Sequence, residues 1–214
     1  MKMQHKGLRA TLATLALAGG LLATGWAVAE VTTPSGKMLA NTCSGCHGTD
    51  GVSHGPTIPT IAGQPEEYFI YVMRKYHTGD APGSVMNRVG EGYTDAEIRA
   101  MAEYYAAVDY VPAQQDYDTD LARRGAELHE QSCASCHTAN GTVGEDDLPI
   151  IAGQWAPHLR YTLVDYLQFG RPFTEGKRSQ FMEIAQGYST EEILENIDAL
   201  VHFYVSQQDP ELFE

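Results

Sequence analysis

The most constraining feature of this sequence is a five-residue pattern that occurs twice. Cys43-Ser-Gly-Cys46-His47 recurs 90 residues later as Cys133-Ala-Ser-Cys136-His137. At the same spacing, Pro59-Thr-Ile-Ala-Gly-Gln64 recurs as Pro149-Ile-Ile-Ala-Gly-Gln154. Self-similarity of this kind predicts two copies of one structural unit. Each copy has about 80 to 100 residues, so we expect a bound metal or cofactor to help complete each small core.

A leader precedes the two repeats. Residues 1–29 combine three basic residues, an apolar stretch rich in Leu and Ala, and the small-residue sequence Ala27-Val28-Ala29. This order is typical of a secretory signal peptide, so we expect cleavage after Ala29 and a periplasmic mature protein. The alternative is an uncleaved membrane anchor, which Gly19, Gly20 and Gly25 within the apolar stretch make less favourable.

The rest of the chain is expected to form two domains. The N-terminal domain is assigned to residues 30–112 and the C-terminal domain to residues 113–214. The segment between Tyr110 and Asp120 is polar and contains a proline, which suits a domain connection. No second apolar stretch approaches the ~20 residues of a spanning helix, so we expect no membrane span in the mature chain.

The charge balance is strongly acidic. The 214 residues include 14 Lys and Arg against 28 Asp and Glu, which gives a formal net charge of −14, and loss of the three basic leader residues would make it −17. Phosphate recognition depends on Lys and Arg, so nucleic acid is not an expected partner. An acidic surface would steer the protein towards a basic partner. Solvated loops at Asp116–Asp120 and Glu145–Asp147 are the alternative explanation of the charge.

The residue pattern predicts a mainly helical protein without a sheet. Thr94 with Glu97, and Ser189 with Glu192, have the spacing of capping boxes that open helices. Apolar residues follow each box at helical spacing, and the second of these helices is expected to be about one turn longer.

Two further helices are predicted, over Glu66–Lys75 and Pro157–Gln168. Short helices also lead into each Cys pair, and both contain a Gly-x-x-Leu pattern that begins at Gly36 and Gly125. A glycine at these positions would allow another helix to approach closely.

The Cys-x-x-Cys-His pattern is the attachment signature of haem c. Two thiols add across the vinyl groups of the porphyrin, and the adjacent His binds the iron. The expected attachment residues are Cys43, Cys46, Cys133 and Cys136, and the expected proximal ligands are His47 and His137. Three alternatives explain less. A zinc ribbon does not call for a His after each Cys pair, and a thioredoxin-like dithiol would lie in a βαβ pattern. Two disulfides would leave both His residues unexplained. The sequence therefore predicts two covalently attached haem c groups.

Each haem iron has room for a sixth ligand, and each repeat offers a Met shortly before its Gly-Tyr helix start. These residues are Met86 and Met182, which lie 39 and 45 residues after their proximal His. His/Met ligation raises the reduction potential and closes the iron to most small ligands, which points to electron transfer rather than peroxide chemistry. Ligation by a second His remains an alternative, through His54, His77, His129, His158 or His202.

Each proximal His also needs an acceptor for its other ring nitrogen, because that bond fixes the orientation and basicity of the ring. Pro59 and Pro149 both lie 12 residues after their His, and we predict that their carbonyls accept this bond. The alternative is that both prolines only shape a loop.

These motifs together resemble the dihaem cytochrome c4 family, over residues 31–206. The resemblance rests on two Cys-x-x-Cys-His units, each followed by Pro-x-Ile-Ala-Gly-Gln and by a Met before a Gly-Tyr-Ser/Thr helix. It implies an all-α fold of two tandem class I cytochrome c domains, each wrapped around one covalently attached haem c.

The second half is also similar to the dihaem cytochrome subunit of flavocytochrome c sulfide dehydrogenases. The segments that carry this similarity are Tyr110-x-Pro-Ala-x-Gln115, Gly125-Ala-x-Leu-His129, Ile151-Ala-Gly-Gln-Trp155-x-Pro157-x-Leu-x-Tyr161 and Gly170-Arg171-Pro172. The resemblance implies an electron-transfer subunit that is not catalytic alone. A flavoprotein (FAD) subunit would supply single electrons, and an external redox acceptor protein would receive them.

Two other functions remain open. One is a free periplasmic shuttle of the cytochrome c4 type, which would serve an oxidase or a reductase. The other is an enzyme or sensor with an open haem, such as a peroxidase. If a flavoprotein does bind, Trp155 and Pro157 are candidates for an apolar docking face, with packing against the second haem as the alternative.

Overall fold

The computed structural model describes residues 32–83, 85–167, 171, 182 and 185–213. Residues Thr33–Glu214 belong to one compact unit. The predicted signal peptide lies outside the described residues, so its cleavage stays a prediction.

The predicted helical fold is confirmed over the described part of the chain. An isolated β-bridge joins Glu145 to Leu148, and no strand occurs among the described residues. The α-helices are α1 (Gly36–Ala40), α2 (Ser44–His47), α3 (Glu66–Thr78), α4 (Met86–Gly90), α5 (Asp95–Ala106), α6 (Thr119–Ser132), α7 (Ala156–Leu167) and α8 (Thr190–Ser206). Short 3-10 turns lie at Thr49–Gly51, Ala139–Gly141 and Pro210–Phe213.

The first domain packs α1, α3 and α5 around one apolar cluster. Its buried members are Leu39, Ala40, Phe69, Ile70, Met73, Ile98, Met101, Ala102 and Tyr105. The Tyr105 ring lies against Phe69, with 5.4 Å between centroids, and its hydroxyl donates to the carbonyl of Ala40 at 3.0 Å. The hydroxyl is therefore satisfied inside a core that is otherwise apolar.

The second domain repeats this plan with α6, α7 and α8. Its buried core residues are Leu159, Ile197, Leu200, Val201, Phe203, Tyr204 and Val205. Both predicted capping boxes are present, at the start of α5 and of α8. The prediction of a longer second helix is confirmed, because α8 has 17 residues and α5 has 12.

Two glycines lie at close helix contacts, as the sequence predicted. A side-chain carbon at Gly36 would collide with the backbone carbonyl of Ala100 on α5. A side-chain carbon at Gly125 would collide in the same way with the carbonyl of Ala199 on α8. Because the colliding atoms belong to backbone, only a glycine allows α1 and α6 to lie this close to their partners.

The segment between α5 and α6 is an extended strap that lies on the second domain. The Tyr110 hydroxyl donates to the carbonyl of Ala152 at 2.9 Å, and the Ala113 amide donates to the carbonyl of Gly153 at 2.7 Å. Gln115 donates to the carbonyl of Gln154 at 3.1 Å. These bonds hold the domain connection in one position. The domain limits 30–112 and 113–214 stay predictions.

Among the described residues, no helix combines the length and the apolar character that crossing a membrane requires.

Candidate haem-binding sites

The first Cys-x-x-Cys-His segment forms a single helical turn. The amides of Cys46 and His47 donate to the carbonyl of Cys43 at 3.1 and 2.9 Å. This geometry places Cys43 and His47 four residues apart on one face of the turn. The Cys43 side chain is half-buried, Cys46 is exposed, and the His47 ring is buried.

The second segment has the same geometry. The amides of Cys136 and His137 donate to the carbonyl of Cys133 at 3.1 and 2.9 Å, the same lengths as in the first domain. Burial raises the pKa of the Cys133 thiol, which is half-buried. The repeat that is visible in the sequence is therefore also a repeat of backbone structure.

A tight loop then folds the Pro-x-Ile-Ala-Gly-Gln motif back against each Cys pair. In the first domain the carbonyl of Gly51 accepts from the amides of Ile61 at 2.8 Å and Ala62 at 3.2 Å. The carbonyl of Gly141 makes the same two bonds to residues 151 and 152, both at 3.0 Å. Gly51 and Gly141 have φ values of 84° and 83°, in the region that favours glycine.

This loop brings Pro59 to His47. The Nδ1 atom of His47 lies 2.9 Å from the carbonyl oxygen of Pro59. Burial lowers the pKa of His47 by more than this hydrogen bond raises it. A neutral ring donates through Nδ1 and leaves Nε2 as the atom that can bind iron. The matching bond between His137 and Pro149 stays a prediction.

The residues at both sites fit haem c. None of the four cysteines is in a disulfide, and each pair stands on a helical turn with its His. A neutral imidazole oriented by a backbone carbonyl is the iron ligand that a haem needs. When bound, the haems would be held by Cys43, Cys46 and His47 in the first domain and by Cys133, Cys136 and His137 in the second. The iron would supply one-electron oxidation and reduction.

The two candidate Met ligands are placed differently. Met86 is the first residue of α4 and is half-buried against the core of the first domain. Met182 is 42% exposed. Both remain predicted sixth ligands.

Three of the alternative His ligands make hydrogen bonds that hold the fold. Nδ1 of His77 lies 3.1 Å from the carbonyl of Gly90, and Nδ1 of His202 accepts from the amide of Asp118 at 3.0 Å. His129 is buried, with Nδ1 3.0 Å from the Tyr204 hydroxyl. All three bonds use Nδ1, so ligation by a second His stays an alternative to the predicted Met ligands.

The structure reveals a contact between the domains that sequence reasoning missed. The Gln154 side chain accepts from the amide of Thr60 and donates to its carbonyl, both at 2.9 Å. The Gln64 side chain forms the same pair of bonds with Ile150, both at 3.0 Å. We call these four bonds the glutamine clamp. The signal for it was the glutamine that ends the repeated motif in both halves.

Trp155 follows the glutamine clamp and also crosses the domain boundary. Its indole N–H donates to the carbonyl of Ser53 at 3.2 Å, and its ring covers Gly55 closely enough to exclude any side chain there. The expected roles for Trp155 were a docking face or packing against the second haem. The structure places its ring against the first domain, and both expected roles stay predictions.

Comparisons with known proteins agree with this architecture. The family model "Cytochrome c" matches residues 35–108, and the model "Cytochrome C oxidase, cbb3-type, subunit III" matches residues 120–186. Cytochrome c4 from Azotobacter vinelandii is 28% identical over 200 residues, which cover 85% of this chain and 93% of that protein. The cytochrome subunit of sulfide dehydrogenase from Chlorobaculum tepidum is 42% identical over 79 residues, or 37% of this chain and 71% of that protein.

The fold is also that of a solved relative. The crystal structure of reduced recombinant cytochrome c4 from Pseudomonas stutzeri superposes with a TM-score of 0.66 and 25% identity, over 82% of this chain and 100% of that one. The chain therefore belongs to the dihaem cytochrome c4 family of electron-transfer proteins, with two cytochrome c domains and one covalently attached haem c in each.

Proposed function

We propose that this chain is the periplasmic cytochrome subunit of a flavocytochrome c of the sulfide dehydrogenase type. It accepts single electrons from a flavoprotein (FAD) subunit and delivers them to an external redox acceptor protein. It is not catalytic alone, and sulfide is oxidised on the partner subunit.

The observation that carries this proposal is the local similarity to a sulfide dehydrogenase cytochrome subunit. That relative is 42% identical over 79 residues, whereas three cytochrome c4 relatives are 28% identical over their longer matches. The higher identity over a shorter segment supports a specialised region within a common dihaem fold.

The cysteine inventory supports the same division of labour. The chain contains four cysteines, and all four belong to the haem attachment motifs. No thiol remains for sulfur chemistry, so a redox-active disulfide would have to lie on the partner. The chain's own residues then bind, orient and bury the cofactors.

The periplasmic location rests on the predicted leader. Residues 1–29 have the charged, apolar and small-residue order of a signal peptide. Covalent attachment of haem c takes place outside the cytoplasm, which agrees with export.

The test is to isolate the native protein from the periplasmic fraction and to measure its flavin and haem contents. The proposal predicts one FAD for every two haems, and haem reduction by sulfide that is lost when the flavoprotein is removed. The proposal is contradicted if the protein is isolated as a flavin-free monomer and added flavoprotein fractions do not change the reduction of its haems by sulfide.

A free cytochrome c4-type shuttle is the second candidate, and a different observation favours it. The Azotobacter vinelandii cytochrome c4 matches 85% of this chain and 93% of its own length. With a formal net charge of −17 after loss of the leader, such a shuttle would be steered to a basic partner. Its electron-transfer rate should fall steeply as salt is raised, whereas transfer inside a permanent complex should respond little.

A further inference from the structure

A single peptide group links the expected iron ligand of the first domain to a side chain of the second domain. Pro59 contributes the carbonyl of this peptide group and Thr60 contributes its N–H. The carbonyl oxygen lies 2.9 Å from Nδ1 of His47, and the N–H donates to Oε1 of Gln154 at 2.9 Å. A carbonyl can only accept, so the His47 ring is the donor in its bond. The two ends of one amide are therefore hydrogen-bonded to different domains.

Two hydrogen bonds fix the orientation of the Gln154 amide. Besides accepting through Oε1, it donates through Nε2 to the carbonyl of Thr60 at 2.9 Å. A reversed amide would place its NH₂ group against the Thr60 N–H, so only this orientation satisfies both bonds. Gln154 is 4% exposed and Thr60 is 2% exposed. The bonds therefore lie away from bulk water, where a hydrogen bond polarises its partner most strongly.

The rest of this loop is braced from within the first domain. The Ser53 hydroxyl donates to the carbonyl of Ile58 at 2.6 Å and accepts from the amide of Gly55 at 2.9 Å. The Ser53 amide donates to the Thr60 hydroxyl at 3.2 Å. These bonds hold the residues on both sides of Pro59. The Thr60 N–H, in contrast, has its partner in the second domain.

Hydrogen bonds at the two ends of an amide strengthen each other. When Gln154 accepts from the N–H of this peptide group, the group is polarised and the Pro59 carbonyl becomes a stronger acceptor. A stronger acceptor attracts the Nδ1 proton of His47 and makes Nε2 of the ring more basic. A more basic ligand stabilises ferric iron relative to ferrous iron, which lowers the reduction potential.

We propose that Gln154 is a positioning residue for the first haem, because it sets the strength of the hydrogen bond from His47 to Pro59. The second domain thus lowers the reduction potential of a haem that is attached to the first. This inference goes beyond the proposed function, since it requires His47 to bind the iron and does not require a flavoprotein.

The first experiment measures the midpoint potentials of the holoprotein and of Gln154→Met, whose side chain has a similar length but no amide. NMR distinguishes the two haems through their contacts with protons assigned by sequence. Loss of the amide makes the Pro59 carbonyl a weaker acceptor. At a fixed applied potential, the ratio of ferrous to ferric first haem should therefore rise about 2- to 5-fold.

Gln64→Met is the matched control. Gln64 makes the same pair of bonds across the domain boundary, both at 3.0 Å, but its partner is Ile150. The control removes as many bonds between the domains and leaves the peptide group of Pro59 and Thr60 untouched, so the potential of the first haem should keep its wild-type value. Equal shifts in the two variants would assign the effect to a loosened boundary. Equal shifts, or no rise in Gln154→Met, would overturn the proposal.

The second experiment observes the hydrogen bond itself. In the reduced holoprotein, the NMR signal of the Nδ1 proton of His47 moves downfield as its hydrogen bond strengthens. Gln154→Met should move this signal upfield and speed its exchange with solvent, whereas Gln64→Met should change neither. A changed potential with an unchanged Nδ1 signal would overturn the route through Pro59.

A conservative variant keeps the test decisive if Gln154→Met fails to fold. Gln154→Glu preserves the shape of the side chain and keeps an oxygen that accepts from the Thr60 N–H. A protonated carboxyl reproduces both bonds of the amide, so the Nδ1 signal of His47 should lie at its wild-type position. An ionised carboxyl is a stronger acceptor and should move the signal downfield. An upfield signal in either state would contradict the proposal.

Discussion

The side-chain amide of Gln154 forms two hydrogen bonds, both 2.9 Å long, with the backbone of Thr60 in the other domain. Thr60 directly follows Pro59, whose carbonyl lies 2.9 Å from Nδ1 of His47. The second domain therefore holds the loop that orients the proximal His of the first. Gln64 and Ile150 reproduce the relationship in the opposite direction. The glutamine clamp thus joins the loops that follow the two attachment motifs.

Gln154→Ala should lower the free energy of unfolding by about 1–3 kcal/mol, because the Thr60 amide and carbonyl are then left buried without partners. Gln64→Ala should have an effect of similar size. Guanidinium denaturation followed by circular dichroism measures the change. Gln131→Ala, at an exposed position on α6, is the control and should stay within about 0.5 kcal/mol of the wild type. A Gln154→Ala variant as stable as this control would show that the clamp contributes nothing.

Gly125→Ala should destabilise the second domain by about 1–3 kcal/mol or more, because the new methyl group meets the backbone carbonyl of Ala199 and forces α6 away from α8. Thermal unfolding of the holoprotein provides the measurement. Gly45→Ala is the matched control, since no atom lies within 4 Å of a side-chain carbon there and the second repeat has Ser135 at that position. Equal unfolding temperatures for the two variants would contradict the close contact.

Met86→Ala and Met182→Ala should each remove about half of the red charge-transfer band of Met-ligated ferric haem and open one ferrous iron to carbon monoxide. Absorption spectroscopy measures both changes. Met38→Ala, which alters a residue that is 64% exposed, should leave the spectrum unchanged. Carbon monoxide binding by the reduced wild-type protein at neutral pH would instead support an open haem. A full band in Met182→Ala would assign the second sixth ligand to another residue.

His129→Gln should lower the free energy of unfolding by about 1–3 kcal/mol and leave the haem spectrum intact, because its ring pairs with the Tyr204 hydroxyl inside the core. Chemical denaturation and absorption spectra of the same samples give the two values. Tyr188→Phe alters a residue that is 48% exposed and serves as the control for a substitution outside the core. A changed Soret spectrum in His129→Gln would make His129 a haem ligand and not a core residue.

The features predictable from sequence are those encoded within one short segment. Thr94 with Glu97 signals a helix start because these two residues alone form the capping box. Gly36 signals that another helix can approach closely, but not that the partner is α5. The attachment motifs are local in the same sense, since the chemistry requires two thiols and a His within five residues.

The features that escaped prediction depend on contacts across the domain boundary. Gln154 and Thr60 are 94 residues apart, so no local pattern could pair them. An aromatic residue such as Trp155 suits a docking face, a cofactor pocket or a domain contact equally well, and only the fold distinguishes these. Arg171 lies in a segment that the sequence singled out only for its resemblance to a family, and the structure shows its side chain to be 12% exposed.

The central claim is that each Cys-x-x-Cys-His motif carries one covalent haem in an electron-transfer protein. Intact-mass spectrometry of the purified holoprotein tests it most directly. Two double variants are compared with the wild type: Cys43→Ala with Cys46→Ala, and Cys133→Ala with Cys136→Ala. The account predicts a wild-type mass raised by two haem groups and a mass raised by one in either double variant. A wild-type protein with a single haem, or a double variant that retains both, would contradict it.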